Sequence, residues 1–301
     1  MYYIVYKGNC YSTLNVLFSP KLSGSDFFKI LELIEFPLKE SENVLMKYAL
    51  TELVSNSVRA LHERKRLREV AVDFQVTGNF IKCVITDYAG GFDPAVLPID
   101  INADSRAIDI LSDEFQMYRE KHSYNRFGIG LVSAKLALDA FHLVFIDGEG
   151  KEVSWHGEGS VDGTRITAAK RISRPEKDGE PLAVVRRARR HSIFTKVRIN
   201  GEEEAYLVDI SMKGVRLLCI DRTRVRKDQT ITVNVGKIDG MGDGLCFTLR
   251  VRWLHREGLF WQIGGEFVRG DDFSTEQLEA ILDKIAFDPT QIPGLVVIRG
   301  S

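Results

Sequence analysis

Glu52 and Asn56 stand four residues apart in ALTELVSNSVRA, a stretch with helical apolar spacing, so a carboxylate and a carboxamide project from one side of a helix. Such a pair could orient a nucleophile through the carboxylate and coordinate magnesium through the carboxamide oxygen, since that ion prefers oxygen ligands. Asp87 ends an apolar run and is followed by Gly90 and Gly91, where a carboxylate could accept from a purine amino group while backbone approaches the ring closely. Gly128 and Gly130 open a further helical run, a place where free N–H groups and the helix dipole favour phosphate. Thr164 follows Gly163 at the start of a strand-like run. Singly, each element fits a tight turn or a solvated helix face; their order is the one an ATP-cradling fold needs.

A second constellation lies further on. Arg186, Arg187 and Arg190 fall in RRARR, and Asp209, Ser211 and Gly214 in DISMKG. Guanidinium groups offer forked donors to phosphate oxygens and to the edge of guanine, and they stack flat on purines. Asp209 could accept from guanine amino and imino groups, and Ser211 with the turn at Gly214 would let backbone come close. Without the DISMKG element, the arginine run would read as a basic patch for nucleic acid or acidic lipid, or as a solvated linker.

The elements that must position these residues divide into two sets. With 301 residues, 44% hydrophobic and 28% charged, the chain has the composition of a globular protein of about two domains. No segment approaches the roughly 18 unbroken apolar residues of a membrane span, and MYYIVYKGNC lacks the basic start of a secretory signal, so a cytoplasmic location and no membrane partner are expected. The four cysteines form no CxxC pair, which points to neither a zinc site nor a disulfide framework. The net charge of -1 directs the protein to no polyanion, and nucleic acid is not expected as a partner.

Alternation predicts strands at STLNVLFS, VAVDFQV, NFIKCVITD, FHLVFID and GTRITAAKR, and periodicity predicts helices at SDFFKILELIEF, SENVLMKYALTELVSNSVRALHERKR and LVSAKLALDAF. The expected fold class is α+β: an N-terminal sandwich with a mixed sheet covered by helices on one face, then an antiparallel β-barrel with a terminal helix. The polar stretch between Asp93 and Phe127 is long enough for a mobile lid. SRPEKDGEP reads as a linker. The boundaries are residues 1–172 for the first domain, 173–181 for the linker, 182–270 for the barrel and 271–301 for a helix (STEQLEAILDKIAF) and tail. GLVVIRG in that tail fits a last strand or a docking segment.

TELVSNSVRA, DYAGGFD, FGIGLVSAK and GTRIT resemble the N-box and three glycine boxes of the GHKL ATPases, the family that includes MutL, gyrase B and the catalytic domains of histidine kinases. The resemblance covers about residues 12–172. It implies Glu52 as general base, Asn56 as magnesium ligand, Asp87 as the adenine-binding acid, Gly91, Gly128 and Gly130 as nucleotide-loop residues, and Thr164 near the adenine. Two positions depart from the pattern: Ala89 stands where the first box has a glycine, and Arg126 where the second often opens with one.

No phosphoacceptor histidine precedes the N-box, since His62 is the first histidine. The start of the chain is instead similar to anti-sigma-factor serine kinases, which act on a Ser or Thr of a protein such as an anti-anti-sigma factor and commonly form homodimers. RRARR with DISMKG resembles the RxxxR and [DN]xSxxG elements of the PilZ domain over about residues 182–270. That implies cyclic di-GMP bound by Arg186, Arg187, Arg190, Asp209, Ser211 and Gly214. Together the resemblances imply ATP and Mg2+ in the first half, cyclic di-GMP as a regulatory ligand in the second, and either a messenger-regulated protein kinase or a sequestering protein with a degenerate ATP site.

Overall fold

A computed structural model describes residues 2–22, 24–110, 112–121, 129–173, 190–220, 223–236, 245–268, 275–285 and 296–300. The chain divides into two compact units, one of Met1–Arg174 with Thr290–Ser301 and one of Pro175–Pro289.

The first unit is built on a long helix and a sheet. In chain order it holds strands β1 (Ile4–Tyr6), β2 (Asn9–Tyr11) and β3 (Thr13–Phe18), helix α1 (Gly24–Glu32), strand β4 (Ile34–Glu35), helix α2 (Glu40–Glu63), and strands β5 (Val70–Thr77) and β6 (Phe80–Asp87). Helices α3 (Asp113–Lys121) and α4 (Ile129–Ala137) follow, then β7 (Ala140–Ile146), β8 (Glu152–Val153) and β9 (Gly163–Arg171).

Helix α2 starts where Glu42 Oε2 accepts from the Lys39 backbone N–H at 3.1 Å, half of a capping box. Leu50, Val54, Val58 and Leu61 repeat along one face and are all buried. Burying each stabilises by about 1.5–3 kcal/mol, so packing rather than propensity holds this helix. The helix stops at Arg64, whose N–H reaches Ala60 O at 3.1 Å, and Lys65 turns the chain away at φ +54.

Beneath it, alternation buries every second side chain: Leu14, Val16 and Phe18 on β3, Val70, Val72 and Phe74 on β5, and Ile81, Cys83 and Ile85 on β6. The sheet was expected to be mixed, and its pairings are antiparallel instead. The reason is the place of β9. It inserts between β6 and β7, pairing with both, and so separates two strands that run in the same direction.

One edge is completed from the far end of the chain. Strand β16 (Val296–Gly300) lies antiparallel on β3, with Val296 opposite Phe18 and Gly300 opposite Leu14. GLVVIRG therefore supplies a last strand to the first unit, and the tail joins that unit rather than the barrel. A smaller sheet in the order β2-β1-β4 was not foreseen.

The segment after Asp93, read as a mobile lid, has structure of its own. It carries two 3-10 turns, Pro94–Val96 and Ser105–Ala107, and the helix α3, and it buries Leu97, Ile101, Phe115 and Tyr118. Asn102 ties it to β7 by exchanging two hydrogen bonds of 2.8 Å with the Leu143 backbone. Position 111 and residues 122–128 lie outside the described residues.

The second unit is a closed antiparallel barrel of β10 (Arg190–Ile199), β11 (Glu203–Ser211), β12 (Gly214–Ile220), β13 (Thr230–Val235), β14 (Leu245–Glu257) and β15 (Phe260–Phe267). Its order is β10-β11-β12-β15-β14-β13, and β10 pairs with β13 to close it. Closure removes the free edges an open sheet would expose. Leu207, Leu217, Val233, Phe247, Leu249 and Ile263 fill the interior, and Leu278 and Leu282 of helix α5 (Thr275–Ile285) join that core. Residues 174–189 and 269–274 lie outside the described residues. Among the described residues no helix is long and apolar enough to cross a membrane.

The cysteines make the burial pattern testable. Cys83 and Cys219 are buried, which pushes both thiols well above their usual range, whereas Cys10 and Cys246 are exposed. Only a thiolate alkylates readily, so iodoacetamide at neutral pH is expected to label Cys10 and Cys246 and spare the other two. Peptide mass spectrometry reads this out; labelling of Cys83 in the folded protein would contradict the sheet register given for β6.

Candidate functional site

In the first unit, Asp87 continues the inward series Ile81, Cys83 and Ile85 on β6, and period two therefore points its carboxylate into the protein. It is only 4% exposed. Oδ2 accepts from Ser57 Oγ at 2.8 Å and from Thr164 Oγ1 at 2.6 Å, and Oδ1 accepts from the Ala89 N–H at 2.9 Å. A carboxylate has about four acceptor positions, so about one remains on Oδ1 for a further donor. Thr164 arrives because β9 pairs with β6 in the register Asp87 opposite Thr164.

The loop after Asp87 turns through two glycines in the left-handed region, Gly90 at φ +88 and Gly91 at φ +66. At Gly91 a methyl group would meet Val161 at 2.5 Å and Phe145 at 3.0 Å, so only glycine fits. Three arginines that follow α2 fasten this loop. Arg64 Nη1 donates to Ala89 O at 2.5 Å, Arg66 Nη1 donates to Tyr88 O at 2.7 Å and Asp162 O at 2.8 Å, and Arg68 lies 4.4 Å from the centre of the Tyr88 ring.

Above Asp87 opens a cleft of about 750 Å³, its mouth included, lined by Leu53, Asn56, Gly91, Leu143, Thr164 and Ile166 among others. A largely apolar lining around a buried carboxylate could take a heterocycle that carries an amino group. The same cleft therefore gathers Asn56, Asp87, Gly91 and Thr164. Glu52, half-buried, lies beside α4: a methyl group at Gly130 would come within 2.3 Å of Glu52 Oε2. Gly128 and Arg126 lie outside the described residues.

Asn56 Oδ1, the atom the resemblance gives to the ion, accepts from Arg59 Nη2 at 2.6 Å, which leaves one of its two acceptor positions. His62, near the end of α2, contacts the Pro20 carbonyl through Nε2, a structural role.

In the second unit, Asp209 and Ser211 lie on β11 and Gly214 opens β12. Ser211 Oγ accepts from the Lys213 N–H at 3.2 Å and donates to Gly214 O at 3.1 Å, which closes the hairpin between them. Gly214 is fixed by packing, because a methyl group there would lie 1.9 Å from Gly265 O on β15. Asp209 is 6% exposed and its Oδ2 lies 2.8 Å from Nε of Arg216, the residue directly opposite on β12. An irregularity between Leu207 and Asp209 re-aims the strand beside that pair.

The strand register brings the two halves of the second constellation together. Arg190 opens β10 and pairs with Ser211, and Ser192 pairs with Asp209. Arg186, Arg187 and the Arg190 side chain lie outside the described residues.

No family model matches the chain, and no curated protein matches it. Among solved structures, the chain is similar to the Bacillus subtilis inhibitor of motility MotI/DgrA at 9% identity and a TM-score of 0.29, over 91% of this chain and 94% of that one. It is also similar to Escherichia coli YcgR in complex with c-di-GMP at 12% identity and a TM-score of 0.27, over 72% and 79%. At these values neither likeness bears on the ligands of this chain, which are argued from its own residues.

Ser57, Arg64, Arg66 and Arg216 escaped the motif reading, and each had a signal. Ser57 is a polar residue on the inward stripe of α2, Arg64, Arg66 and Arg68 alternate just past the helix end, and Arg216 interrupts the apolar run GVRLLCI. Arg66→Ala removes two hydrogen bonds to loop carbonyls that are partly open to solvent. It is expected to cost about 1 kcal/mol of stability in a urea titration. An unchanged midpoint would show that Arg66 does not hold the loop.

Proposed function

We propose that the chain is a cytoplasmic signalling protein with two purine sites: cyclic di-GMP on the barrel unit, and ATP or a related purine nucleotide in the Asp87 cleft. The observation that carries the proposal is the register that seats Arg190 against Ser211, two residues from buried Asp209. It joins two motifs that the sequence keeps apart. In this reading the barrel belongs to the PilZ type and the first unit to the GHKL type. The arginines of RRARR clasp the phosphates and guanine edges, and Asp209 and the Ser211–Gly214 hairpin receive a base. Messenger level then governs what the first unit does to a partner protein, such as a sigma factor or an anti-anti-sigma factor. Calorimetric titration with cyclic di-GMP tests it: Arg190→Ala should weaken binding at least about tenfold relative to wild type, the loss of one charge-assisted phosphate or base contact. Equal affinities would remove the carrying observation.

In the Asp87 cleft the buried carboxylate supports a purine, and the departures Ala89 and Arg126 favour a nucleotide-binding, partner-sequestering unit. A second reading, an ATP-dependent serine/threonine kinase of the anti-sigma type, is favoured by Glu52. That carboxylate sits beside the first turn of α4, and in this reading it accepts a hydroxyl proton. Incubation with labelled ATP and candidate partners separates the two. Transfer by wild type that is abolished in Glu52→Gln supports the kinase, and no transfer to any partner supports sequestration.

A further inference from the structure

The barrel unit is an insertion in the first unit. Its residues, Pro175–Pro289, fall between the two parts of the other unit, Met1–Arg174 and Thr290–Ser301, so the chain leaves the sheet after β9 and returns to it at β16. In the order β16-β3-β5-β6-β9-β7-β8 the returning strand forms an edge, on the side of β3 away from β5 and β6. It pairs with β3 over its five residues, from Val296 opposite Phe18 to Gly300 opposite Leu14, and a methyl group on Gly300 would strike the Tyr11 ring of β2. A short edge strand has a partner on one side only, and it is among the parts of a sheet that open most readily. At the barrel end, α5 is anchored by Leu278 and Leu282 in the core and packs against β10, the strand that Arg190 opens. The step from Ile285 at the end of α5 to Val296 at the start of β16 reaches at most about 40 Å, so the barrel holds the strand on a short tether.

We propose that β16 carries the state of the barrel to the first unit: cyclic di-GMP on the barrel tightens the pairing of β16 with β3. This rests on the cyclic di-GMP reading of the barrel and gives its regulation a route. Two tethers, one before Arg190 and one after α5, set the effective concentration of β16 at the β3 edge. In that reading the ligand holds Arg186 and Arg187 and so takes up part of the first tether. Less slack around a geometry in which the strand is already paired favours the paired state. The coupling is reciprocal, so a paired β16 strengthens cyclic di-GMP binding by the same factor.

The test is hydrogen exchange of the full chain, read by mass spectrometry with and without saturating cyclic di-GMP, beside calorimetric titration of wild type and of the double variant Val297→Pro with Ile298→Pro. Neighbouring residues of an antiparallel strand turn their N–H groups to opposite sides, so one of the two prolines removes a donor to β3. Cyclic di-GMP is expected to slow exchange of the β16 amides by about fivefold or more, the low end of an ordinary coupling, and the double variant to bind it about fivefold or more weakly. Far-UV circular dichroism confirms that the variant is folded; if it is not, the wild-type exchange measurement decides by itself. Cyclic di-GMP heat in wild type with β16 exchange unchanged or faster would overturn the inference and leave the reading of the barrel standing. Slowed exchange with undiminished affinity in the folded double variant would overturn it too, since the coupling would then not run through β16. Absence of heat in wild type would overturn the cyclic di-GMP reading, and this inference with it.

Discussion

Asp209→Ala is expected to lower the stability of the barrel unit by about 3–5 kcal/mol, because it removes the carboxylate that faces the buried Arg216 guanidinium. The two side chains are 9% and 7% exposed and their atoms lie 2.8 Å apart across a directly opposed strand pair. Truncating one partner therefore exposes the other's full desolvation cost, which greatly exceeds the net worth of the pair. The double substitution Asp209→Leu with Arg216→Met is expected to recover most of the loss, since an apolar pair of similar volume removes the burial penalty altogether. Urea unfolding of the single and double variants measures both. A single-variant loss below about 1 kcal/mol would show the pair to be solvent-screened and the described geometry wrong.

The second large effect belongs to Gly163→Ala. A methyl group there would lie 1.9 Å from Asp87 O and 2.8 Å from Tyr88 Cα, contacts with backbone that no rotamer change can relieve. Overpacking of this kind costs about 1–3 kcal/mol or more, and the neighbour here is a strand paired on both edges, so the upper end is expected. Because Thr164 is the next residue, the shift should also break its 2.6 Å bond to Asp87 and weaken ATP binding at least about tenfold. Gly236→Ala, which meets nothing within 4 Å, is the control and should stay within about 0.5 kcal/mol of wild type. Thermal melts and ATP titration of both variants check the pair. A neutral Gly163→Ala would mean that β6 and β9 are not as closely apposed as described.

What the sequence made legible is what period and spacing alone determine. The stripe Leu50, Val54, Val58 and Leu61 and the alternation along β3, β5 and β6 arise from local geometry, so helix, strands and the inward direction of Asp87 could be read directly. The antiparallel barrel was expected on the same ground. Pairing was not. That β9 would insert between β6 and β7, making the sheet antiparallel, depends on contacts between residues about 80 apart for the pair Asp87 and Thr164. The destination of GLVVIRG was hidden likewise, since an apolar run fits any edge and only the completed sheet shows that β3 lacked a neighbour. At the site, motif spacing found Asp87, Asn56 and Thr164 but could not show Arg59 engaging Asn56, because a family pattern records which residues stand where and not which neighbours compete for them.

The central claim is that this polypeptide holds two separate purine sites, and titrating the full chain with ATP in the presence of saturating cyclic di-GMP tests it most directly. The account predicts saturable binding of each ligand alone and continued ATP binding when the barrel is filled, with Asp87→Asn removing only the ATP heat and Arg190→Ala only the cyclic di-GMP heat. Mutual displacement of the two ligands, or loss of both heats in either variant while the protein stays folded, would contradict it.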